Sequence, residues 1–195
     1  MIIIEDNFFD DPYKVRGDAL SAKYESSPDT RWPGYRAPVP FYISNKINSW
    51  VEEKTGFKHS IKESNFQYIP KKYGNGIYHL DTPFQFTAIV YLNPDPPKNS
   101  GTSISEEIYN PSNSFWDECN VWKKLFYNNL DNQYYRFRFD LKRKKVEKMF
   151  PVSYSIPAKF NRILLFDSCL KHCAQQFYGK SKADSRITIA SFFRS

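Results

Sequence analysis

Histidine and cysteine are both scarce in this sequence, with three of each, and no stretch approaches the roughly 20 consecutive apolar residues that a membrane-spanning helix needs. The chain opens Met-Ile-Ile-Ile and turns acidic at Glu5 and Asp6, without the basic start and apolar core of a secretory signal. A soluble, cytoplasmic protein is therefore expected. Cys119, Cys169 and Cys173 are odd in number, which argues against a disulfide framework and for reduced thiols. Cys169 and Cys173 bracket His172, yet Cys-x-x-His-Cys without a second ligand pair lacks the spacing of a closed zinc site. Packing is the expected role of these thiols. Nor is there a Gly-rich phosphate loop, a zinc finger or an aromatic nucleic-acid motif.

What is present suits one domain spanning 1–195, since 195 residues with 41% hydrophobic content can bury one core but hardly two. The formal charge of +7 would favour anionic partners. Its densest basic run, Lys142-Arg-Lys-Lys-Val-Glu-Lys148, reads as a solvated helix face or loop. A nucleic-acid partner thus rests on charge alone.

Asp11-Pro12 marks a helix start, because aspartate caps free amides and proline suits the first helical position; the helix is expected to run to about Lys23. Residues 26–42 contain four prolines and should be irregular. Ser44 is expected to cap a second helix, with Ile47, Trp50 and Val51 on one face and Gly56 at its end. Residues 1–62 thus form a helical support. From residue 63 the texture turns to β, with expected strands at 66–69, 84–92, 101–104, 134–141, 162–166, 174–178 and 186–193 and a helical insert at about 115–130. With no helix of crossover length between most of them, the strands should pair antiparallel. The expected fold is mainly β with flanking helices, a double-stranded β-helix or jelly roll.

Two of the three histidines stand where a metal would want them. In Tyr78-His79-Leu80-Asp81 an extended backbone turns His79 and Asp81 to one side, and sheet closure would bring His172 to them. Two histidines and one carboxylate on one face of an octahedral ion leave three positions open, as ferrous iron requires when it binds a cosubstrate and dioxygen. The plainer alternative is a surface pair. Arg186 follows His172 by fourteen residues at the head of an apolar strand, with Thr188 facing the same way. Its planar fork fits a carboxylate bidentately, the need of a dicarboxylate cosubstrate. Thr87, Ile89 and Tyr91 share one strand face and could line the same pocket.

In this order the pieces resemble the 2-oxoglutarate and Fe(II)-dependent dioxygenase superfamily, in its prolyl-hydroxylase-like branch, across residues 66–193. They are the His79-x-Asp81 pair, Tyr91-Leu92-Asn93, Gly101-Thr102, Arg162-Ile-Leu-Leu-Phe166, His172 and Arg186. The sequence departs from that pattern at Ser100, where a glycine is usual, and in the loose lead-in Tyr73-Gly-Asn-Gly-Ile-Tyr78. The resemblance implies iron held by His79, Asp81 and His172. It also implies 2-oxoglutarate held by Arg186 with Tyr91 and Thr188. Hydroxylation or demethylation of an unidentified substrate would follow, consuming dioxygen and releasing succinate and CO2. Asp81 favours hydroxylation over halogenation, because halogenating members usually carry a small residue there. Two other readings stay open, a cupin-like metal-binding jelly roll of other chemistry and a non-catalytic basic binding module. Trp32, Tyr35, Arg36, Lys71, Lys72 and Phe84 are candidates for the mouth of the site.

Overall fold

The computed structural model describes residues 1–26 and 32–194. Its N-terminal part contains β1 (Ile2–Glu5), α1 (Pro12–Ser21), β2 (Glu25–Ser26), β3 (Tyr35–Pro38), α2 (Phe41–Thr55) and β4 (Ser60–Ile69). The middle contains β5 (Phe86–Tyr91), β6 (Thr102–Ser105) and a helical pair, α3 (Asn113–Asn128) and α4 (Gln133–Met149). The chain closes with β7 (Tyr154–Ile156), β8 (Arg162–Asp167), β9 (Lys171–Ala174) and β10 (Arg186–Arg194).

Among the described residues ten strands form two antiparallel sheets, a large one ordered β1-β8-β5-β10-β4-β3-β2 and a small one ordered β7-β6-β9. This is the expected jelly roll with flanking helices. Alternation decides which residue faces which layer. On the large sheet Ala88, Val90, Ile163, Leu165, Ile187 and Ile189 turn outward against α1 and α2. Ile43, Ile47 and Val51 of α2 are wholly buried there, at about 1.5–3 kcal/mol of transfer free energy each. On the opposite face Tyr91, Leu164 and Phe166 meet Ile104 and Ile156 of the small sheet.

Both expected N-terminal helices form. The Asp11 carboxylate accepts from the Lys14 amide at 2.9 Å, with Pro12 in the first turn. Gly56 ends α2 with φ of 74°, which lets its N–H reach the Glu52 carbonyl. The start of α2 differs, for Pro40 precedes it and Ser44 lies one turn inside, its hydroxyl donating to the Phe41 carbonyl. Residues 1–62 are also more than helical support. β1 pairs with β8 at one edge of the large sheet, while β3 pairs with β4 near the other. The proline-rich stretch is therefore partly a strand, because Pro38 sits where β3 ends; its residues 27–31 lie outside the described residues.

The largest departure is at 134–141, expected as a strand and folded as helix α4. Phe137, Phe139 and Leu141 alternate with Arg138 and Asp140, a pattern that mimics a strand. Only Phe139 is buried, however, and Phe137 and Leu141 are 59% and 49% exposed. The buried set is Phe139, Lys142 and Val146, which is helical spacing, and the Asn132 side chain caps the first turn by accepting from the Tyr134 and Tyr135 amides. The insert is thus a helical hairpin twice the expected length. The other shift concerns 174–178, where the strand comes earlier as β9 and carries His172 within it.

Candidate functional site

β9 and the segment before β5 bring His172 and His79 together. Their backbones form an isolated antiparallel bridge, His79 N–H to His172 carbonyl at 3.0 Å and the reverse at 3.1 Å. His79 therefore sits on a single bridge rather than in the extended strand expected of it. Asp81 follows two residues on, its amide donating to the Ser168 carbonyl at 3.1 Å. One ligand atom from each of His79, Asp81 and His172 lies within 4.8 Å of the others. Cys169 and Cys173 are outside this cluster, one exposed and one buried.

The ring orientations decide which nitrogens face inward. His79 Nδ1 contacts the Ile77 carbonyl and His172 Nδ1 the Leu170 carbonyl, each at 2.9 Å. A carbonyl only accepts, so both Nδ1 atoms carry a proton, and in each neutral ring Nε2 is the nitrogen that offers a lone pair. Those Nε2 atoms turn to Asp81, at 3.6 Å from Oδ1 for His79 and 3.0 Å from Oδ2 for His172. The Thr87 hydroxyl donates to Asp81 Oδ2 at 2.8 Å and contacts Ser168 Oγ at 2.8 Å. Carbonyl-braced imidazoles beside a hydroxyl-braced carboxylate are what orient a metal ligand set.

The electrostatics agree with a cation site. Burial works against the Asp81 charge, but the His172 and His79 rings and the Thr87 hydroxyl outweigh it and hold the carboxyl well below its usual range. Burial pushes His172 down while Asp81 pushes it further up, for a net rise. His79 is lowered to about 4 by desolvation and then by His172, although half of its side chain still opens outward. The carboxylate and one neutral imidazole thus present donors without competing protons.

The triad opens on an inner cavity of about 160 Å³ that also reaches Thr87, Ile89, Thr102 and Arg186. An outer vestibule of about 680 Å³ shares His79 and Asp81 with it. Arg186 is 4% exposed, and its Nε donates to the Ser100 carbonyl at 3.4 Å. Among the described residues no carboxylate acts on it; burial, and then Tyr91 and Tyr178, set its environment. Tyr91 lies beside Arg186, 5.6 Å from ring centre to guanidinium, and its hydroxyl shares a 2.7 Å hydrogen bond with Thr102. Thr188 is buried and pairs with Tyr91 across β10 and β5, yet neither is among the lining residues. Of the candidate mouth residues, Trp32, Arg36 and Phe84 line the vestibule. Tyr35 instead stacks on Tyr68, and Lys72 Nζ reaches the Tyr35 hydroxyl.

Several residues that the fold brings to the cavity have little local signal in the sequence. Thr102 lines the cavity, and its signal in the sequence is the Gly101-Thr102 pair. Its position depends on Gly101, where a Cβ would stand 1.8 Å from the Ile156 carbonyl. Trp116, Cys119, Asn120, Lys123 and Tyr127 form one face of α3 over the cavity, and no local motif announces them. The basic run, in contrast, is engaged at its first two residues. Lys142 is buried against Glu118, and Arg143 pairs with Asp140 and Glu147 on its own helix.

No family model and no curated protein matches the chain. Solved structures do. HygX from Streptomyces hygroscopicus, with nickel, 2-oxoglutarate and hygromycin B bound, superposes with a TM-score of 0.63 at 10% identity over 98% of this chain and 82% of that one. A 2OG-Fe(II) oxygenase family oxidoreductase from Burkholderia pseudomallei gives 0.56 at 9% identity, covering 98% and 83%. A Pseudomonas putida prolyl-4-hydroxylase gives 0.53 at 11%, covering 99% and 91%. At such identities the likeness establishes a shared fold.

Proposed function

We propose that this chain is a non-haem Fe(II), 2-oxoglutarate-dependent oxygenase that hydroxylates, or by hydroxylating a methyl group demethylates, a small organic substrate. One observation supports this above the others. Two braced imidazoles and a braced carboxylate converge on the same small cavity that holds a buried arginine with no carboxylate of its own among the described residues. A metal-binding jelly roll of other chemistry explains the first half of that arrangement and leaves Arg186 without a purpose. A guanidinium kept from water needs an anion, and the distal carboxylate of 2-oxoglutarate is one of suitable size.

In this reading His79 Nε2, His172 Nε2 and an Asp81 oxygen hold iron, and Arg186 holds the cosubstrate, supported by the Thr102 and Tyr91 hydroxyls. When bound, the iron and 2-oxoglutarate supply oxidation of a substrate C–H bond by dioxygen, one oxygen atom going to the substrate and one to succinate as CO2 leaves. The chain's own work is orientation and shielding. The Ile77 and Leu170 carbonyls keep both Nε2 lone pairs inward, Thr87 fixes the rotation of Asp81, and α3 closes the cavity from above. The three free thiols suit a reducing compartment such as the cytoplasm.

Anaerobic addition of 2-oxoglutarate to the Fe(II) protein should produce a visible charge-transfer band. The band should vanish in His172→Ala and require far more cosubstrate in Arg186→Ala. Absence of both the band and binding in the unaltered protein would sink the reading.

A further inference from the structure

Two cations overlook the triad and are not used by that chemistry. Arg36, on β3, and Lys123, on α3, line both the inner cavity and the vestibule from different layers of the fold. The Arg36 guanidinium lies over the Trp32 ring at 4.0 Å, and its Nε is buried without a hydrogen-bond partner. One Nη faces Glu63 at 3.6 Å, a long pairing to a side chain that is half exposed. Lys123 has no ion pair or hydrogen bond among the described residues, and burial lowers its pKa, as it lowers that of Arg36 to about 10.

The charge balance of the loaded site sharpens this. Iron, Asp81, a doubly ionised 2-oxoglutarate and Arg186 cancel among themselves. Arg36 and Lys123 are then left with Glu63 alone, so the mouth keeps a net positive charge where water is limited, and an uncompensated cation is costly there. Three aromatic rings, Trp32, Trp116 and Phe192, line both spaces together with the two cations. Flat rings offer contact area and stacking to a planar partner. A volume of about 680 Å³ belongs to a small-molecule site.

We infer that the substrate is a small organic anion with a flat apolar body, its carboxylate or phosphate held between Arg36 and Lys123 and its body laid against Trp32, Trp116 and Phe192. The inference rests on the oxygenase reading and narrows it. Arg36 and Lys123 would set which molecules enter, while Asp81, His79 and His172 would set what happens to them.

The test is equilibrium dialysis of the anaerobic Fe(II) and 2-oxoglutarate complex, its loading read from the charge-transfer band. The probes are 1-naphthoate, 1-naphthyl phosphate, 1-naphthylmethylamine and 1-naphthalenemethanol. At least one anion should bind about tenfold or more tighter than the amine and the alcohol, since a hydrogen bond to a charged group contributes that much. Which anion binds tighter distinguishes carboxylate from phosphate. Arg36→Gln and Lys123→Gln should each lower that affinity by about tenfold, with 2-oxoglutarate affinity little changed. Lys123→Gln, on the rim of a helix, carries the test if the other variant does not fold. Equal binding of all four probes with the band intact would overturn the inference and leave the oxygenase reading standing. Loss of 2-oxoglutarate affinity as large as that of the anion in Arg36→Gln would overturn it too, by assigning Arg36 to the cosubstrate. Absence of the band in the unaltered protein would remove the oxygenase reading and this inference with it.

Discussion

Arg186 offers a test with two opposite signs. Its guanidinium is 4% exposed, with one long hydrogen bond of 3.4 Å to Ser100 and a tyrosine ring 5.6 Å away. In the ligand-free protein it is a buried charge with little compensation, and replacing such a charge by an apolar side chain is often neutral or stabilising by about 1–4 kcal/mol. Arg186→Met should therefore leave the ligand-free protein as stable as before, or more stable by about 2 kcal/mol. Truncating a buried partner of a carboxylate costs about 2–5 kcal/mol in binding, so 2-oxoglutarate affinity should fall by about thirtyfold to several thousandfold. Urea unfolding in anaerobic Mn(II) buffer, with and without 2-oxoglutarate, reads both effects. At one hundred times its dissociation constant the ligand should add about 2.7 kcal/mol to the unaltered protein and at most about 0.9 kcal/mol to the variant. A ligand-free variant destabilised by about 3 kcal/mol or more would mean that Arg186 has a strong internal partner. An undiminished ligand effect would mean that the anchor lies elsewhere.

Three further outcomes follow from the geometry. Thr87→Val removes the hydroxyl that braces Asp81 Oδ2 and should weaken metal binding by about tenfold in competition with a chelator; an unchanged affinity would show that Asp81 needs no such brace. Phe139→Ala empties a site wholly buried on α4 and stacked 5.0 Å from Phe126, at about 3–5 kcal/mol. Phe137→Ala, two residues away and exposed, should cost under about 0.5 kcal/mol, and similar losses at both positions by urea titration would contradict the helix. Asp6 is held down to about 2 by its hydrogen bonds to Arg162 and then Lys159. Its native carboxyl thus binds a proton less tightly than the unfolded chain does, so its contribution is present above pH ~4 and lost as pH falls towards ~2. Asp6→Asn should cost about 1 kcal/mol at neutral pH, after allowing for partial exposure, and nothing at the acid end; a pH-independent difference would refute the linkage.

The sequence by itself determined β4, β5, β6, β8 and β10 and the two N-terminal helices. The β5 alternation from Phe86 to Tyr91, the Asp11-Pro12 start and the Gly56 stop are each local effects, set by backbone geometry within a few residues. It also singled out His79, Asp81, His172 and Arg186 by spacing and residue type, and the fold brings these four to one cavity. Tertiary structure decided the rest. Residues 134–141 alternate like a strand, and only the burial of Phe139 against Phe126 and Tyr127, with Val146 on the same face, selects the helix. β1 and β3 gain their partners from β8 and β4, strands distant along the chain. Arg36 and Lys123 are 87 positions apart, and neither segment contains a signal for the other. Their approach is set by two layers packing over one cavity, which burial brings about and no local pattern encodes.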